Sequence, residues 1–243
     1  MNQQFFLLDE EWSVVHLPER PNGFAIFIIG DRHHFVDSNS SFWIQNAGRY
    51  TFIEQFVRSG YTVFYSNLYG RHWGSPKATN LAKRLYHVVM KREILNEHVH
   101  LLLEGMGALS GLELMDQMGE NIRSVAMLNP CLSLKEQLKH EQENKLFYKR
   151  MIKEVVEAYQ WEEHIIEDGL AQLPDLKSHQ STIPVKIWIS TDEQTYQSKK
   201  IARMFEESRK EYSPIQLTLH LNEKRFGIGS SILQFFSKNE KTL

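Results

Sequence analysis

HVHLLLEGMGALSGLEL, residues His98 to Leu114, is the stretch whose reading decides the fold. Val99 to Leu103 is a short apolar run of the length of a buried strand. Gly105 and Gly107 follow with one residue between them. Ala108, Leu109, Leu112 and Leu114 then offer the apolar face of a helix. The unit reads as strand, tight turn, helix. The turn contains no serine, cysteine or aspartate. It therefore signals a fold more clearly than a reaction.

The surrounding composition is that of a globular chain. Of 243 residues, 42% are hydrophobic and 24% charged, enough for one sizeable core, and we read residues 1–243 as a single domain. The net charge of -2 argues against a nucleic-acid or membrane-surface protein. Residues 1–10 lack the basic start and long apolar region of a signal peptide. The longest other apolar run, Phe24 to Ile29, is too short to span a bilayer. The single cysteine, Cys131, excludes an internal disulfide and a cysteine-based metal site. The expectation is a cytoplasmic protein with no cofactor and no metal.

Working outward, strands and helices alternate. Phe5 to Leu17 reads as an edge hairpin, and Phe24 to Ile29 as a strand buried on both faces. Ser40 or Ser41 caps a helix running through Phe42, Ile53 and Val57, which Gly60 ends. Tyr61 to Leu68 is a strand, Tyr69 to Pro76 a loop, and Asn80 to Leu95 a helix. After the central unit, Ile122 to Leu128 is a strand closed by Asn129-Pro130. Leu132 to Leu176 is rich in Lys, Glu and Gln and reads as helical; with its flank, residues 132–182 form an inserted cap over the carboxyl ends of the strands. Ile183 to Ile189 and Pro214 to Leu221 are strands, Thr195 to Lys210 and Ile228 to Lys238 helices. This alternation implies an α/β fold, a mostly parallel sheet with helices on both faces.

In this order the chain resembles the α/β-hydrolases, in particular small carboxylesterase-like and monoacylglycerol-lipase-like members. Phe64 to Pro76, FYSNLYGRHWGSP, resembles the loop that usually reads D-x-R-G-H-G-x-S. Leu102 to Ala108 resembles G-x-S-M-G-G, and Pro184 to Glu193, PVKIWISTDE, resembles P-V-L-x-I-x-G-x-x-D-E. Leu219 to Phe226, LHLNEKRF, resembles the run ending in G-H-F. The resemblance makes the central unit a nucleophile elbow. Leu103-Glu104-Gly105-Met106-Gly107 lies on G-x-S-x-G, with Gly105 at the nucleophile; the other register, starting at Gly105, also places glycine there. Arg225 stands at the histidine and Asp192 at the acid. An arginine stays protonated and cannot act as a general base. Ile29 replaces the histidine before Gly30, and Asp31 follows, where its charge would oppose a developing oxyanion. Met106 retains a backbone N–H.

The expected reading is an α/β-hydrolase homologue that has lost catalysis and acts by binding a small hydrophobic or acyl ligand or a protein partner. Asp192 and Arg225 are expected within salt-bridge distance; the alternative leaves Arg225 in solvent. The second reading is an active esterase, lipase or thioesterase with a rearranged site that uses Cys131, or His33 or His34, the histidines of the loop beside the pocket. Against it, loop histidines more often bond backbone or water, and a free cysteine is more often a small buried hydrophobe. Ser110 lies more than a helical turn past Gly105 and faces away from the elbow mouth. His72 reads as structural, and His98, His100 and His220 as polar strand positions. A third reading is an interaction protein that uses the 132–176 surface above a collapsed pocket.

Overall fold

The computed structural model describes residues 2–196, 198–221, 223 and 227–240. Its centre is one sheet of eight strands: β1 (Asn2–Leu8), β2 (Glu11–Leu17), β3 (Ala25–Ile29), β4 (Thr62–Ser66), β5 (Val99–Glu104), β6 (Ile122–Leu128), β7 (Val185–Ser190) and β8 (Ile215–His220). The spatial order is β1-β2-β4-β3-β5-β6-β7-β8. β2 pairs antiparallel with β1 and β4, and the remaining pairs are parallel. The β1–β2 hairpin turns at Asp9 and Glu10, whose φ of 55° and 68° are the left-handed values that a tight two-residue turn needs.

The helices are α1 (Phe42–Gln45), α2 (Ala47–Arg58), α3 (Pro76–Arg92), α4 (Gly107–Gln117), α5 (Leu134–Glu141), α6 (Lys145–Tyr159), α7 (Ile166–Gln172), α8 (Ser198–Arg209) and α9 (Ile228–Asn239). Strand side chains alternate between faces, which splits the core in two. Leu101 and Leu103 of β5 join Leu85 of α3, Leu112 of α4 and Phe205 of α8. Leu102 joins Phe52 and Phe56 of α2 with Ile232 and Phe236 of α9. A strand buried on both faces must be apolar throughout, which is why its run is continuous.

The expected Asn80–Leu95 helix begins earlier and ends at Arg92. Ser75 accepts the Ala78 N–H, and Pro76 occupies the first turn, where its missing N–H costs nothing. The single helix expected from Phe42 is two. The Asn46 N–H bonds to Phe42 O and closes α1, while the Asn46 side chain accepts the Arg49 N–H and opens α2. His100, expected as a polar strand position, is fully buried. The return of α9 covers it: its ring stacks on Phe236 at 4.5 Å and its Nδ1 lies 2.8 Å from Ser124 Oγ.

Between β6 and β7, Leu134, Leu138, Met151 and Val155 of α5 and α6 pack on Trp73, Met106, Cys131 and Tyr196. These helices therefore rest on the turn after β5. No helix among the described residues is long and apolar enough to cross a membrane.

Candidate functional site

The turn after β5 is built around Gly105, whose φ is +51°. Glycine adopts this left-handed conformation without the Cβ penalty that other residues incur. The Gly105 N–H donates to Leu128 O at 3.0 Å, and Gly105 O accepts the Cys131 N–H at 2.8 Å, so the turn is pinned to the end of β6. A Cβ on Gly107 would lie 2.3 Å from Ile29 O, so glycine there lets α4 start against β3.

A carboxylate fills the space in front of this turn. A Cβ on Gly105 would lie 2.3 Å from both the carboxyl carbon and Oδ1 of Asp31. Asp31 Oδ1 accepts the Met106 backbone N–H at 3.0 Å and also the Tyr196 hydroxyl. Burial first, and then the neighbouring Asp31, push the Tyr196 phenol far above its ordinary value, so it stays a donor. The Met106 N–H is the group that the resemblance assigned to an oxyanion hole, and here it holds Asp31. A negative charge there opposes any further negative charge at the same donors.

Cys131 sits beside this group and is buried. Burial first, and Asp31 second, push its thiol well above the ordinary value, the reverse of what a thiolate nucleophile needs. Among the described residues no histidine hydrogen-bonds Cys131. Trp73 closes the other side. Its backbone N–H lies 3.2 Å from Met106 Sδ, its indole N–H donates to Glu154 at 3.0 Å, and its carbonyl accepts the Tyr159 hydroxyl at 3.0 Å.

His34 belongs to a second cluster behind the turn. The Trp43 indole N–H donates to His34 Nδ1 at 2.7 Å, and an indole can only donate. The His34 proton is therefore on Nε2, 2.8 Å from Glu104 Oε2. Neither ring nitrogen is left to take a proton from a nucleophile. Glu104 also receives Nε and Nη2 of Arg49, the former at 3.1 Å. Burial alone would raise the Glu104 carboxyl, but Arg49 and His34 outweigh it and hold it at about 2, against an ordinary 4.5. Gly30 permits this cluster, since a Cβ there would lie 1.6 Å from His34 Nδ1.

The structure thus brings Gly105, Asp31, Met106 and Cys131 together and places His34 with Glu104. His33 is exposed. Asp192 is exposed too, its Oδ1 accepting the Thr191 hydroxyl at 3.4 Å. Arg225 and its expected pairing with Asp192 lie outside the described residues. Ser110 is fully buried, 3.3 Å from Nδ1 of the buried His72. Sequence reasoning missed Tyr196, Trp43 and the Arg49–Glu104 pair. Only Glu104 carried a signal, as a charge ending an apolar strand.

His72 provides a pH test of the packing behind the turn. Burial first, and the neighbouring His34 second, push its imidazole down to about 4 from 6.5. A depressed base is carried neutral by the fold, so its contribution is complete above 6.5 and is lost as pH falls toward 4. The expected loss over that window is at most about 3 kcal/mol. In urea melts at stepped pH, His72→Asn should flatten this slope; equal slopes in both chains would contradict the assignment.

Strand order, the crossovers, and a glycine turn between the central strand and its helix define the α/β-hydrolase fold, and this chain has it. No protein-family model matches the chain, and no curated protein matches it in sequence. Solved structures do match. Est1E from Butyrivibrio proteoclasticus aligns over 98% of this chain and 99% of its own with a TM-score of 0.68 and 11% identity. Alpha/beta hydrolase domain-containing protein 10 from mouse aligns over 98% of this chain and 99% of its own, with a TM-score of 0.66 and 10% identity. The acylaminoacyl peptidase of Pyrococcus horikoshii covers 98% of this chain with 41% of its own length, with a TM-score of 0.71 and 9% identity. Likeness at these identities concerns the fold.

Proposed function

We propose that this chain is a catalytically silent α/β-hydrolase-fold protein that acts by binding. The observation carrying this reading is the Asp31 carboxylate, seated on the Met106 N–H in the space a nucleophile's side chain would fill. Nucleophilic acyl transfer needs a hydroxyl or thiolate at the elbow, a base beside it, and open donors for the oxyanion. Gly105 supplies no nucleophile. Cys131 is held as a thiol, and His34 is committed to Trp43 and Glu104. The occupant of such a protein is a small hydrophobic or acyl molecule or a protein partner, and residues 132–182 serve as its cap.

The second reading, a carboxylic-ester hydrolase with a rearranged site, is favoured by the likeness to solved structures of carboxylesterases. It requires Cys131 to leave its burial and meet a base. Steady-state assays with p-nitrophenyl acetate and butyrate separate the two. The silent reading expects turnover no faster than an equal concentration of a heat-unfolded sample. Saturable turnover abolished by Cys131→Ala would establish the second reading instead.

A further inference from the structure

Asp31 fills the space in front of the Gly105 turn, and a separate open space lies to one side of it. A cavity of about 690 Å³ lies on the α2 and α9 face of the sheet, between the start of α2 and the carboxyl ends of β6, β7 and β8. The volume is that of a small-molecule site, and the carboxyl ends of the strands are where open α/β sheets hold ligands. Phe42, Phe52, Leu128, Trp188 and Ile228 give it apolar walls.

Three of its polar side chains, Asn46, Asn129 and Arg49, keep donors without a partner. Asn46 uses its side-chain oxygen on the Arg49 N–H at 3.1 Å, and Asn129 uses its own on the Ser190 N–H at 2.8 Å. Among the described residues, both side-chain NH₂ groups make no hydrogen bond. Arg49 commits Nε and Nη2 to Glu104, which leaves Nη1. Its guanidinium is fixed in place, 5.6 Å from the centre of the Phe52 ring. Three side chains that keep uncommitted N–H groups, one of them a cation, therefore line a cavity with aromatic walls. A single cation already half engaged by Glu104 suits a monoanion better than a phosphate, and the apolar walls suit a hydrocarbon body.

We propose that this cavity is a binding site for a small organic acid. Its carboxylate meets Arg49, Asn46 and Asn129, and its aryl or short acyl body lies against Phe42, Phe52 and Trp188. The inference rests on the reading of the chain as a binder and names the site and the ligand class.

Isothermal titration of the full chain with 4-phenylbutyrate and with octanoate tests it, with 4-phenylbutanol as the uncharged counterpart. The expected result is saturable binding of an acid with a Kd below about 1 mM and the alcohol weaker by about tenfold or more. Ala47 is exposed at the cavity wall in the first turn of α2, so Ala47→Trp fills the cavity while leaving the core intact, and it should abolish binding. Asn46→Ser keeps a capping oxygen and removes the NH₂ group, and should weaken binding by about threefold or more. Melting temperatures establish that both variants are folded. Absence of saturable binding by either acid overturns the proposal, as does equal binding of acid and alcohol, or an affinity unchanged by Ala47→Trp. Ester turnover measured on the same samples keeps the two readings apart. Turnover by the wild type overturns catalytic silence alone, and silence without acid binding overturns the cavity assignment alone.

Discussion

Gly105→Ser is expected to destabilise the protein by about 2–5 kcal/mol, through a left-handed non-glycine residue and an overpacked turn. The first contribution follows from the φ of +51° and the second from the 2.3 Å approach to the Asp31 carboxyl group. For a chain of this length the melting temperature should fall by roughly 5–15 °C. Asp31→Gly in the same chain removes the collision and should recover part of the loss, with a coupling of about 1 kcal/mol or more. Urea melts of the four chains of this cycle measure it. Strictly additive effects would mean that Asp31 does not occupy the space in front of Gly105. For the same reason a serine placed at position 105 alone is not expected to confer hydrolysis: the added side chain would compete with Asp31 for one volume, and the Met106 N–H would remain occupied.

Glu104→Ala carries the other large expected effect. Glu104 is buried and binds Arg49 and His34 together, so its removal leaves a mostly buried guanidinium and the His34 N–H without their acceptor. Breaking a buried pair from one side costs about 3–5 kcal/mol. Replacing both partners, Glu104→Leu with Arg49→Leu, should cost much less, because no charge is then stranded. The pH dependence has a definite sign. The folded carboxyl titrates at about 2 against 4.5, so its contribution is fully present above 4.5 and is lost as pH falls toward 2. Acid unfolding of Glu104→Ala should therefore be flatter than that of the wild type across this range. A loss under about 1 kcal/mol at neutral pH would show the cluster to be marginal.

Much of the fold is legible in the sequence because a doubly buried strand must be a continuous apolar run. Phe24 to Ile29 and Val99 to Leu103 announce themselves in this way, and Gly105 and Gly107 mark the turn. Helix limits are less legible. The apolar period carries across Asn46, and the Ser75-Pro76 start looks like a loop ending. The site divides along the same line. Asp31 was visible as a charge beside Gly30, because it is close in sequence to a recognisable strand end. Its partner Tyr196 is 165 residues away, in a stretch with no periodic pattern, so only folding brings the two together. The same is true of Arg49 and Glu104, separated by 55 residues. His100 defeats the strand pattern because its cover comes from α9, at the far end of the chain.

On the proposed reading the space in front of Gly105 is a filled, non-nucleophilic site, and covalent labelling of the folded wild-type chain tests this most directly. The chain would be treated with a fluorescent fluorophosphonate and, separately, with iodoacetamide, and any adduct mapped by mass spectrometry. The expected result is no fluorophosphonate adduct, and modification of Cys131 only under denaturing conditions. A stoichiometric fluorophosphonate adduct on any serine, or rapid alkylation of Cys131 in the native chain, would contradict it and would locate the chemistry at the labelled residue.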